Sequence, residues 1–226
     1  MKESELPPRP LLDSPRAVLS PSERFGESVF GLIMVLTITG SLSVAEAGRA
    51  EVRTMLIGAL GCNTAWGLVD AVMYLLGSLF ARGRGRAILL GIRHRAADAA
   101  ASRALVANEL PPVVASVLRE SDLDFVRGKL AELPEPPRPR LSGRDYLGAF
   151  GVFLLVFVST FPVVLPFLFA SDAGTALRLS NAIGVALLFF CGWAMGRYSG
   201  LRSFLTGIAM AAIGAALVVA TMALGG

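Results

Sequence analysis

The sequence predicts an all-α integral membrane protein with five transmembrane helices and a helical cytoplasmic insert between helices 2 and 3. Three observations carry this. Of the 226 residues, 54% are hydrophobic and only 17% charged, with a mean hydropathy of +0.63. A soluble domain of this length carries about 25% charged residues. Five apolar stretches are each about 20 residues or longer, enough to cross roughly 30 Å of hydrocarbon at ~1.5 Å per residue. In lipid such stretches must be helices, because open strands leave backbone groups unpaired.

Residues 1–24 are rich in proline and charge and are expected to be a disordered cytoplasmic segment. Residues 25–81 hold the first two spans, Glu27–Ala47 and Met55–Phe80. Ala45-Glu46-Ala47 has the small-residue spacing of a leader cleavage site, but Glu3, Glu5, Asp13 and Glu23 precede a run too long for a leader core, so a retained span is expected. Residues 82–143 form the insert. Its alanine-rich part, 86–109, extends the second helix into water, and Pro111-Pro112 breaks it. Ser121-Asp122-Leu123-Asp124 reads as a helix start, and Leu133–Pro139 as a stiff linker. Residues 144–226 hold the third span (Tyr146–Ala170), the fourth (Leu177–Gly196) and the fifth (Ser203–Leu224).

Basic residues set the orientation. Twelve fall between Arg82 and Arg144, and Arg197 and Arg202 follow the fourth span, against Arg49, Arg53 and Arg178 on the other side. The positive-inside rule places the N-terminus and the insert in the cytoplasm and Gly226 outside, in a bacterial inner membrane. The cluster Arg82, Arg84, Arg86, Arg93 and Arg95 is accounted for by its place beside a span, so no nucleic-acid partner is expected. Cys62 and Cys191 lie in apolar spans, His94 is the one histidine, and neither a zinc pattern nor a nucleophile–base pair can be assembled. No enzyme and no cofactor is expected. Glu120, Asp122 and Asp124 are explained by helix capping.

Asp70 is the residue that points to function. A carboxylate that deep in a span costs on the order of 2.5 kcal/mol or more, and such residues face a partner or a water-filled path. On a helical wheel Asn63, Gly67, Asp70, Tyr74 and Gly77 share one face of the second span, with Trp66 and Met73 beside it. The first span has Glu27, Gly31, Met34 and Ser41 in a similar stripe. Carboxylate, amide and thioether groups along two helices suit passage of a divalent transition metal. The residues that could line such a path are Asp70, Met73, Asn63, Met34 and Glu27, with Asp70, Met73 and Glu27 the candidates for metal contact; packing for the methionines and an interfacial place for Glu27 stay open on the residues alone. Pro162 and Pro166 distort the third span and free backbone carbonyls, for ion binding or for a packing kink.

The five-span order, the insert, LLVFVSTFPVVLPFLF in the third span, and LSNAIGVALLFFCGWAMGRYSG followed by LTGIAMAAIGAAL resemble the vacuolar iron transporter family. The likeness covers residues 27–80 and 141–226. It implies a homodimer in the lipid bilayer that moves ferrous iron or manganese out of the cytoplasm in exchange for protons. It also implies roles for Asp70 and Met73, and for Glu27 and Met34. The sequence differs from the family at the second helix, where Asp70-Ala71-Val72-Met73-Tyr74 replaces Met-x-x-Gly-Glu-Tyr. A non-transporting membrane scaffold that recruits partners through the insert stays open at this point.

Overall fold

The computed structural model describes residues 19–41, 49–94 and 98–225, and no strand occurs among them. The helices are α1 (Pro21–Gly40), α2 (Arg49–His94), α3 (Ala99–Glu109), α4 (Pro112–Val117), α5 (Glu120–Glu132), α6 (Gly143–Val164), α7 (Pro166–Phe169), α8 (Ala173–Tyr198) and α9 (Ser203–Gly225). They fall into two units. One holds α1, α2 up to Leu75, and α6 to α9; the other runs from Leu76 to Ser142.

Among the described residues, four helices are long and apolar enough to cross a membrane: Ala50–His94, Gly143–Val164, Ala173–Tyr198 and Ser203–Leu224. The expected first span, Glu27–Ala47, is not among them. Its described helix, α1, carries Glu23, Arg24 and Glu27 in the first two turns and ends at Gly40. Residues 42–47 of that span lie outside the described residues, as do Gly226 and 1–18 of the expected disordered segment. The start of α1 is well defined. Ser20 Oγ accepts from the Glu23 N–H at 3.3 Å, and Glu23 Oε2 accepts from the Ser20 N–H at 2.6 Å.

In the first unit α1 is enclosed. Leu32, Val35 and Leu36 are buried with Ala59 of α2, Val163 and Val164 of α6, and Leu188 of α8. Helix α6 runs through Pro162, stops at Val164, and the chain resumes as α7 from Pro166, which supplies no N–H. The carbonyl of Val163, next to that break, accepts from Ser180 Oγ at 2.7 Å in a buried position. That carbonyl, near the distortion expected to free ion ligands, is taken up by packing. Between α8 and α9, Gly200 adopts φ +71° and the Leu201 N–H bonds to Gly196 O at 2.9 Å, a Schellman end that folds α9 back. The two helices then lie close: a Cβ on Gly192 would stand 2.8 Å from Thr206 O.

The second unit departs from the sequence expectation in two places. The alanine-rich stretch 86–109 is not one helix: α2 ends at His94, and Asp98 Oδ1 starts α3 by accepting from the Ala101 N–H at 3.0 Å. A side chain able to cap competes with helix continuation, which alanine content alone does not reveal. Helix α5 starts at Glu120 rather than after Ser121; Asp122 Oδ2 accepts from the Arg119 N–H at 2.9 Å. Arg103 pairs with Asp124 at 2.9 Å and Glu120 at 3.2 Å, tying α3 to α5. The proline-rich linker lies along α2, its carbonyls at Pro136 and Arg140 accepting from Arg86 (3.2 Å) and Arg82 (2.7 Å).

Candidate functional site

Helix α2 is amphipathic in the sense expected of a lipid-exposed helix: apolar outside, polar inside. Leu68, Val69, Val72 and Met73 are exposed, whereas Asn63 is fully buried. Small residues let the polar stripe seat itself. Gly67 packs on Phe153 of α6, where a Cβ would stand 3.0 Å from the ring, and Gly148 of α6 receives the Tyr74 ring. Gly31 of α1 lies directly on Ser159 and Val156 of α6. Three helices thus meet along Asn63, Gly67, Asp70 and Tyr74.

Asn63 organises the inner end of this stripe. Its amide donates to Gly31 O at 3.2 Å and to Thr160 Oγ1 at 2.5 Å, joining α1, α2 and α6. Its Oδ1 is buried and has no partner among the described residues. Two helical turns along the same face, Asp70 hydrogen-bonds Glu27 of α1, carboxyl to carboxyl. Such a bond needs one proton held between the two groups. Asp70 Oδ2 is buried and unpartnered among the described residues, and no arginine or lysine pairs with either acid there. Phe30 meets Trp66 edge-to-face at 5.7 Å between the same two helices.

Of the five residues predicted from sequence, the structure brings Glu27 and Asp70 into contact and puts Asn63 on their face. Met34 is half-buried on α1, and Met73 is 60% exposed. Among the described residues no three His, Cys, Asp or Glu side chains gather as a metal cluster. The pair offers two carboxyl groups, which suits transient contact with a partly hydrated cation better than storage. Two residues of this region were not singled out from sequence. Thr160 holds the Asn63 amide, and Asp145, 6% exposed, is buried in the first turn of α6. Carrying the buried register of α6 (Thr160, Val156, Val152, Gly148) one turn further back reaches Asp145, so the signal was present in the spacing.

Residues 92–226, more than half of the chain, match the family model described as the VIT family. The chain belongs to the VIT family. No curated protein matches it. The VIT family is one of membrane metal-ion transporters and not of enzymes, in keeping with the long apolar helices and with an integral membrane protein. The matched stretch begins after the polar stripe, so Glu27, Asn63 and Asp70 rest on their geometry rather than on the match.

Proposed function

We propose that this VIT-family protein exports a divalent transition metal, Fe²⁺ or Mn²⁺, from the cytoplasm in exchange for protons, with Glu27 and Asp70 as the exchanging pair. The observation that carries the reading is the carboxyl–carboxyl contact itself, made by acids of two helices with no basic partner among the described residues. An arriving cation displaces the shared proton and takes its charge compensation from both carboxylates. The cycle balances: M²⁺ enters from the cytoplasm as one H⁺ is released to it, and on the far side M²⁺ departs as one H⁺ is taken up from there, which restores the shared-proton pair. Asn63 holds α1, α2 and α6 in register two turns along the same face, and the half-buried Met34 supplies a soft ligand on α1, whereas Met73 faces away from the pair.

In this reading α1 is the first of five spans, the N-terminus and residues 82–143 are cytoplasmic, the C-terminus is outside, and the protein sits in the bacterial inner membrane as a homodimer. The twelve basic residues between Arg82 and Arg144 support the sidedness. The exposed apolar face of α2, with Met73 and Trp66 on it, supports a second copy beside it in the membrane.

The test is fluorescence-monitored flux of Fe²⁺, Mn²⁺, Co²⁺ and Zn²⁺ in proteoliposomes, with and without a pH gradient. Flux of Fe²⁺ or Mn²⁺ that responds to the gradient supports the proposal. Because metal and proton compete for the same carboxylates, metal affinity should fall as pH falls. No flux of any of the four metals in correctly folded protein refutes it.

A further inference from the structure

The membrane unit carries an apolar groove of about 700 Å³ that lies roughly 100° around α1 from Glu27. Leu32 of α1, Leu147, Leu155 and Val158 of α6 and Leu187 of α8 line it, and Arg24 stands at one end. From Leu147 to Val158 the groove follows α6 for ~16 Å, about one leaflet of a bilayer whose hydrocarbon is roughly 30 Å thick. Its hydroxyls do not make it polar. Ser28 Oγ donates to Arg24 O at 2.9 Å and Ser159 Oγ to Val156 O at 2.7 Å, so both protons are used by the helices themselves.

The mouth differs in charge. Arg24 lines it, and Arg144 lies on the same face of α6, one turn before Leu147. Both are exposed, and neither has a side-chain partner among the described residues. In the other unit Arg84, Arg86 and Arg103 are each bound to a carboxylate. Two guanidiniums with no carboxylate paired to them among the described residues, beside an apolar trough about one leaflet long, match the outline of one kind of molecule. We infer that the groove binds a phospholipid with an anionic headgroup, its phosphate between Arg24 and Arg144 and an acyl chain along Leu147–Val158. Arginine suits phosphate because its planar fork can donate twice. A second copy of the chain fits less well, since a two-fold contact through this face would set the same arginines against each other.

Native mass spectrometry of the full-length protein, equilibrated with equal amounts of phosphatidylglycerol and phosphatidylcholine of the same chain length, tests this. One phosphatidylglycerol per protomer should be retained, preferred by roughly tenfold or more, as expected for two arginines near a charged headgroup. Arg24→Gln with Arg144→Gln should abolish the preference without changing thermal unfolding, and the paired Lys substitutions should restore part of it. Leu155→Trp, which fills the trough, should lose retention of both lipids. Equal retention of the two lipids by the unaltered protein overturns the inference, as does a preference that survives in the Gln pair. Disulfide-linked dimers formed through Val158→Cys in native membranes, beyond those of the parent protein, would show instead that a second copy covers the groove.

Discussion

Acidic residues are used in opposite ways by the two units of the molecule. In the Leu76–Ser142 unit, Glu120 and Asp124 meet Arg103, Glu109 meets Arg84, and Glu135 meets Arg86. Each of these four acids has a fixed basic partner near water, where such pairs are worth little individually. In the membrane unit, among the described residues, Glu27 and Asp70 find only each other, and the nearby buried amide of Asn63 keeps one oxygen unpartnered. In hydrocarbon an uncompensated acid pair is costly, and it is tolerated where a mobile cation completes it. The contrast separates acids that hold the protein together from acids left available to cargo.

Several substitutions would break or sharpen this contrast. The largest effect is expected from Gly31→Val. Its side chain must displace Ser159 and the Val156 backbone, so α1 cannot close on α6. A loss of about 3 kcal/mol or outright misassembly should appear as aggregation on size-exclusion chromatography and a lowered melting temperature. The same change at Gly58, which has open space around it, should do little.

Asn63→Leu is the next in size. It removes donors from Gly31 O and Thr160 Oγ1 inside the bundle and should cost about 1–2 kcal/mol. Since Asn63 positions α1 against α2, metal flux should fall together with thermal stability, whereas altering the acid pair should lower flux alone. In the other unit, Arg103→Gln should speed amide hydrogen exchange in α3 and α5 of the intact protein while leaving metal flux within about twofold of wild type. A large loss of flux there would erase the distinction between the two units.

The smallest effect concerns Asp172, which caps α8 outside the membrane by accepting from the Thr175 N–H at 2.7 Å. That bond holds its carboxyl below the usual range. Its contribution is therefore present above the ordinary carboxyl pKa and lost as pH falls through the lowered one. Asp172→Ala should lower the melting temperature slightly at pH 7, and the gap from wild type should close in acid. A gap that widens in acid would contradict the cap.

Legibility in the sequence followed the physics that fixes each element. Helices α6, α8 and α9 were read to within a few residues because lipid alone demands helix over an apolar run of that length. Helix α1 was not: its charged first turns and its end at Gly40 leave it shorter than the Glu27–Ala47 span, and its enclosure by α6 and α8 comes from packing that no local pattern reports. The fresh start of α3 at Asp98 was hidden because alanine propensity competes with a single capping aspartate. At the candidate site, the 100° wheel was enough to put Asn63, Gly67, Asp70 and Tyr74 on one face. It could not say that Met73 faces outward, that Thr160 meets Asn63, or that Asp145 is covered, because those depend on a second helix.

The most direct measurement compares metal flux through wild type, Asp70→Asn and Glu27→Gln in proteoliposomes at matched protein level, across a range of pH. If the pair exchanges a proton for the metal, both variants keep their fold and oligomeric state, flux falls by about tenfold or more, and the pH dependence of wild type disappears. If the two acids only join α1 to α2, an amide can still hydrogen-bond in place of either carboxyl. Wild-type flux with wild-type pH dependence in Asp70→Asn would then contradict the account.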